Sequence, residues 1–140
     1  MNVDRDIREL VPHAGAMCLL ERIVSADNDS VVCATTTHRL TRNPLRHSGR
    51  LAALHLAEYG AQAMAVHGGL KGDAPRAGML VAIRDLKLRV ERIDDVADEI
   101  VIEARRLVAN AGGLVYSFVA RAADRELATG RVSVMFSRDS

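Results

Sequence analysis

Residues 51–69 read LAALHLAEYGAQAMAVHGG, a run without proline in which Leu54, Ala57, Ala61 and Met64 form an apolar stripe at helical spacing. The stretch predicts the one long helix of the chain. Its many alanines, with Gly60 near the middle, let another backbone come close and suggest a helix tightly wrapped by a sheet. One carboxylate, Glu58, stands among these alanines, leucines and glycines. A charged carboxylate is costly to bury unpaired, so Glu58 is expected to face water, meet a partner or serve chemistry. Gln62 follows one turn later beside it.

Working outward toward the N-terminus, His38–Arg50 is a basic stretch with Pro44 and Gly49 and no periodicity, which predicts a loop feeding the helix. Before it, Met17–Val24 reads as a mostly buried strand, Asp27–Asp29 as a turn and Ser30–Thr37 as a second strand, together a hairpin. Asp4–Leu10 predicts a short helix that ends before Pro12 and Gly15. Toward the C-terminus, Gly72, Asp73 and Pro75 mark a linker, and strand character follows from near Gly78. Leu86, Leu88 and Val90 alternate with Asp85, Lys87 and Arg89, as in a sheet with one dry and one wet face. Ile100, Ile102 and Ala104 repeat the pattern, as do Leu114, Tyr116 and Phe118, while Val115 and Val119 suggest that the opposite face is partly covered, as by a dimer contact. The last strand sets Ala128, Gly130, Val132, Val134 and Phe136 against Thr129, Arg131, Ser133 and Met135. Turns at Asp94-Asp95, Ala111–Gly113 and Ala123-Asp124 are short enough to join antiparallel neighbours. The order of hairpin, long helix and four strands predicts an α+β fold, a single domain over residues 1–140 in which one antiparallel sheet buries one helix.

Composition limits the function. The chain has 140 residues, 49% of them hydrophobic, with 19 basic against 18 acidic side chains, the balance of a globular protein with no overall attraction for nucleic acid. Four aromatic residues, Tyr59, Tyr116, Phe118 and Phe136, offer little base-stacking surface. Cys18 and Cys33 fall in expected strands without a zinc-ligand pattern and read as reduced core residues, and no histidine combination has metal-ligand spacing. The N-terminus lacks the apolar core of a signal peptide, and no apolar run is long enough to span a bilayer, so a cytoplasmic location without membrane insertion is expected. Phosphate-loop and dinucleotide-binding glycine motifs are absent, which disfavours both kinds of nucleotide enzyme.

The segment VPHAGAMCLLERIVSAD, Val11–Asp27, followed by AEYGAQAMAVHGG, Ala57–Gly69, resembles the hotdog-fold 3-hydroxyacyl-acyl-carrier-protein dehydratases, most of all the small dehydratases associated with aryl-polyene and related pigment biosynthesis. The resemblance implies a curved antiparallel sheet wrapped around the long central helix, a double-hotdog dimer with active sites between subunits, and a catalytic acid at Glu58. Gln62 matches the glutamine of the family's helix motif and is implied to support the site. The family's catalytic histidine stands in a His-Phe-Pro motif fourteen residues before the acid, where this chain has Pro44, and the nearest replacement is His47. His13, in a Pro-His pattern like the family's N-terminal motif, is implied to organise the site wall. His55, one turn before Glu58, is also a neighbour of the acid on the helix.

The implied reaction takes a 3-hydroxyacyl thioester carried by an acyl carrier protein. His47 removes a C2 proton while Glu58 assists departure of the C3 hydroxyl, giving a trans-2-enoyl thioester and water. An apolar setting would hold the Glu58 carboxyl protonated for that task. The family glycine five residues before the acid is replaced by Ala53, although Gly49 can still bend the approach to the helix. Arg39, Arg42, Arg46 and Arg50 offer cations to the carrier or its phosphopantetheine phosphate. The elimination requires no metal, flavin or nicotinamide; phosphopantetheine arrives with the substrate. A homodimer is expected, with a heterodimer with another hotdog subunit as an alternative. A noncatalytic subunit that binds the carrier or completes a heterodimer, and an acyl-thioesterase, are the competing functions.

Overall fold

The computed structural model describes residues 3–11, 15–72 and 80–136. Six antiparallel strands form one sheet: β1 Arg22–Ala26, β2 Ser30–Thr35, β3 Leu80–Leu88, β4 Ile100–Asn110, β5 Gly113–Ala122 and β6 Arg125–Met135. They lie in the order β1-β2-β4-β5-β6-β3. Helices α1 Ile7–Leu10 and α2 Leu56–Leu70 complete the elements, with α2 packed against β2, β4, β5 and β6. This is the one-helix, one-sheet architecture expected from the sequence. No helix among the described residues is long and apolar enough to cross a membrane.

The sheet's helix-facing side follows the alternation read from the sequence. Ile100, Ile102, Ala104, Tyr116, Ala120, Ala128 and Val132 are all essentially inaccessible. Phe118 explains two glycines, because a Cβ on Gly60 would stand 2.6 Å from its ring and one on Gly130 would stand 2.8 Å away. Gly60 thus admits an aromatic ring rather than the backbone expected there.

Several boundaries differ from expectation. The first strand begins at Arg22, not Met17, because Leu19 and Leu20 direct their N–H groups to the side chain of Gln62 at 2.7 and 3.0 Å instead of to a strand ladder. Gly15–Met17 is a 3-10 turn, and Cys18 lies outside any strand, half-buried, whereas Cys33 is buried in β2. Burial pushes the Cys33 thiol up to about 12, so it stays protonated. The long helix starts later than Leu51, with a 3-10 turn Ala53–His55 leading into α2. Its buried side is carried by Leu56, Tyr59, Ala63 and Val66 with Ala57 and Met64, while Leu54, placed in the predicted stripe, is 52% exposed.

The Asp94-Asp95 turn does not join sheet neighbours. β3 pairs with β6 at the sheet's edge, and the chain crosses over to β4. Of the expected dry face, Leu86 and Val90 pack against the core while Leu88 is exposed, and Val81 and Ile83 earlier in the strand are exposed as well. The expected strand start near Gly78 and the linker residues Asp73 and Pro75 lie outside the described residues.

Candidate active site

The segment that leads into α2 sets the geometry. Ser48 and Gly49 have φ of 52° and 77°, the pair of positive values that a type I′ turn requires, and His47 and Arg50 exchange both backbone hydrogen bonds across it at 2.8 and 3.0 Å. Residues 51–53 then run antiparallel to 91–93, with Ile93 N–H donating to Leu51 O and Ala53 N–H donating to Glu91 O, both at 2.9 Å. Only after this bridge does the chain turn into the helix, which is why the helix begins late.

Glu58 lies in the first turn of α2, where the helix dipole favours a carboxylate. Its Oε1 is 3.4 Å from His55 Nδ1. The His55 side chain is 24% exposed and that of Glu58 47%, so the apolar enclosure expected for the acid is not built by this chain's own described residues. His47, on the turn, is exposed. The histidine in contact with the acid is therefore His55, which sequence spacing had marked as a neighbour but ranked below His47. His13 lies outside the described residues.

Gln62 is buried, and both the oxygen and the nitrogen of its amide are hydrogen-bonded. Its amide oxygen accepts from Leu19 and Leu20 N–H, and its Nε2 donates to Met17 O at 2.8 Å. It ties the strap of residues 17–20 to the helix. Tyr59 does the same for the next loop: its hydroxyl contacts Thr37 Oγ1 at 3.0 Å and accepts from Asn43 Nδ2 at 3.2 Å. Burial pushes the Tyr59 phenol up, keeping it neutral. Between strap and loop lies a cleft of about 270 Å³ lined by Gly15, Cys18, Thr37, Leu40, Arg42, Asn43 and Pro44. Pro44 is the position fourteen residues before Glu58.

Two of the four loop arginines serve the loop itself. Arg46 donates to His38 O at 3.1 Å and Gly49 O at 3.0 Å, and Arg39 donates to Ala97 O at 3.0 Å. Arg42 and Arg50 are exposed with no side-chain hydrogen bond or ion pair among the described residues, which leaves them as the cations open to a partner. The Ala53 amide, at the position of the family glycine, is committed to Glu91 O. The neighbouring Leu54 N–H has no backbone partner among the described residues. Among the described residues no three His, Cys, Asp or Glu side chains cluster as a metal site would require.

Two further histidines, His38 and His67, are buried and bonded within the fold. His38 Nε2 bonds Val96 O at 3.0 Å, and His67 joins Tyr116 and the Asp27 carbonyl. Burial lowers the pKa of both.

A family profile described as ApeP-like, ApeP dehydratase, matches residues 5–140. No curated protein matches the sequence. The structure is similar to the dehydratase heterocomplex ApeI:P from Xenorhabdus doucetiae, with a TM-score of 0.82, 20% identity, and coverage of 96% of this chain and 92% of that one. It is also similar to the E. coli PaaI protein from the phenylacetic acid degradation operon, at TM-score 0.59 and 17% identity over 81% of each chain. Thioesterase superfamily member 2 from Mus musculus gives TM-score 0.56 and 18% identity, over 82% of this chain and 80% of that one. At these identities the structural likenesses show the fold, which is the hotdog fold.

Proposed function

The chain belongs to the ApeP-like dehydratase family, and on that premise we propose that it removes water from 3-hydroxyacyl thioesters carried by an acyl carrier protein, giving trans-2-enoyl thioesters. The observation that carries this reading is Glu58, held in the first turn of the central helix, open to a ligand and in contact with His55. In the proposed reaction a base takes the proton from C2 and the Glu58 carboxyl protonates the departing C3 hydroxyl, so that the C2–H electrons form the new double bond and water leaves. His47 is the proposed base. His55 orients the Glu58 carboxyl. With the Ala53 amide committed elsewhere, the Leu54 N–H is the proposed donor to the thioester carbonyl.

Arg42 and Arg50 supply the proposed contact to the carrier's phosphopantetheine phosphate, and the cleft at Pro44 the proposed seat for part of the substrate. The elimination needs no metal or redox cofactor, since it transfers a proton and expels hydroxide as water. Incubation with a panel of 3-hydroxyacyl-carrier thioesters, read by intact mass, tests the proposal. Loss of one water supports dehydration, release of the free carrier thiol indicates thioesterase activity, and an unchanged mass across the panel contradicts both.

A second reading concerns assembly. Among the described residues β3 has a strand neighbour on one side only, and Val81 and Ile83 on it are 56% and 39% exposed, an apolar edge of the kind that pairs with another chain. Two copies of this chain, or this chain and another hotdog subunit, would join there, and a noncatalytic member would complete such a heterodimer. Ile83→Lys is expected to shift sedimentation toward the monomer, and unchanged sedimentation of a dimer would place the contact elsewhere.

A further inference from the structure

We propose that Asp94, braced by Arg92, is a positioning residue for the candidate active site, because its carboxylate anchors Leu51, the point from which the turn bearing His47 and the helical turn bearing His55 and Glu58 diverge. The inference rests on the general-acid reading of Glu58 for its catalytic consequence, though not for its structural one.

Asp94 Oδ1 accepts the Leu51 N–H at 2.9 Å and Arg92 Nε at 3.0 Å, while Oδ2 pairs with the second Arg92 nitrogen. The Asp94 side chain is 6% exposed and that of Arg92 37%, so the carboxylate points inward with the guanidinium over it. The guanidinium also holds the Asp94 carboxyl well below the usual carboxylate range, so this acceptor stays charged across the physiological range. Around it the backbone is closed. Leu51 O takes Ile93 N–H, Ala53 N–H goes to Glu91 O, and Leu51, Ala53 and Ile93 are fully buried.

Leu51 thus has little freedom of its own. On its N-terminal side the bonded His47–Arg50 turn leaves directly from it, and on its C-terminal side the Ala53–His55 turn follows after one residue. A carboxylate that served only to cap the helix would bond the amides of the first helical turn. Asp94 instead bonds five residues ahead of Leu56, while His55, at the cap position, has no side-chain cap bond. Its effect is to set where both arms of the site begin.

The test compares Asp94→Leu with Asp94→Asn, which keeps an oxygen for the Leu51 amide. In the free protein, the NMR titration of His55 is expected to shift in Asp94→Leu and to return toward wild type in Asp94→Asn. In the dehydration assay, Asp94→Leu is expected to lower kcat by roughly 10- to 100-fold with KM unchanged, the size a displacement of about 1 Å produces. Most of that loss should vanish in a Glu58→Gln background, since a residue acting through Glu58 is not additive with it. A folded Asp94→Leu protein with an unmoved His55 titration, or losses that multiply with those of Glu58→Gln, would overturn the proposal. Should Asp94→Leu not fold, Arg92→Leu leaves the anchor and removes its brace, and the same shift of His55 is expected at smaller size. If Glu58→Gln alone leaves dehydration intact, the general-acid reading fails, and the His55 titration still decides whether Asp94 positions this turn.

Discussion

Helix α2 carries a histidine near each end, and the two have opposite surroundings. At the C-terminal end His67 is fully buried, with Nε2 2.9 Å from the Asp27 carbonyl and Nδ1 2.5 Å from the Tyr116 hydroxyl, which in turn accepts from Arg106 Nε at 2.8 Å. A carbonyl only accepts, so Nε2 carries the proton and Nδ1 takes the Tyr116 O–H. At the N-terminal end His55 and Glu58 are partly exposed, and beyond their mutual 3.4 Å contact neither has another side-chain hydrogen bond among the described residues. One helix therefore separates polar groups that hold the fold from polar groups left open to a ligand or partner. The distinction is made by whether the chain itself satisfies them.

The sharpest way to break this comparison is at Gln62, one turn beyond Glu58 but on the satisfied side. Gln62→Leu strands two buried amides and a carbonyl and is expected to cost about 3 kcal/mol, a Tm drop of roughly 10 °C. Stability unchanged within about 0.5 kcal/mol would place Gln62 with the open groups. Next, Gly60→Ala forces a methyl against the Phe118 ring and should lose about 1–3 kcal/mol by denaturant unfolding.

Acid sharpens the contrast further. Burial holds His38 and His67 neutral in the fold to lower pH than in the unfolded chain, where histidine protonates near pH 6.5. The unfolded state takes the proton first, so stability present above about pH 6.5 declines as pH falls toward the folded-state values, at most about 1.4 kcal/mol per pH unit for each group. His67→Gln should flatten a plot of Tm against pH between 7 and 5, and an unaltered slope would assign the effect elsewhere. The smallest effect is expected at the loop. Arg42→Ala should raise KM for a carrier-bound substrate about threefold at low salt and not at high salt. Arg46→Ala should instead lower Tm, because its guanidinium bonds His38 O and Gly49 O.

The fold was legible because its main signals are local. Alternation in β4, β5 and β6 and the alanine-rich period of α2 need no tertiary knowledge, and they place Ile102, Phe118 and Val132 in the core correctly. What failed depended on long-range partners. Leu19 and Leu20 read as strand until Gln62, more than forty residues away, takes their amides. Leu54 read as core until the bridge to residues 91–93 delayed the helix. β3 carries the right alternation for Leu86, which packs against the core, yet the bulge between Arg84 and Lys87, another feature local pattern does not show, leaves Val81, Ile83 and Leu88 exposed.

At the site, the place of Glu58 at the start of the helix could be seen from spacing and resemblance, whereas the bonds that tie Gln62 to residues 17–20 could not. The contact of His55 with Glu58 was hinted at by the i, i+3 interval. The engagement of Arg39 and Arg46 with backbone carbonyls, and the anchoring of Leu51 by Asp94 from forty-three residues away, leave no trace in local sequence.

The most direct test of the account is the single-turnover rate of dehydration for Glu58→Gln against wild type on the same 3-hydroxyacyl-carrier thioester, with both proteins shown to be folded by Tm. A general acid at this position predicts a loss of about 100-fold or more with Tm unchanged. Dehydration at the wild-type rate by the folded variant would contradict it.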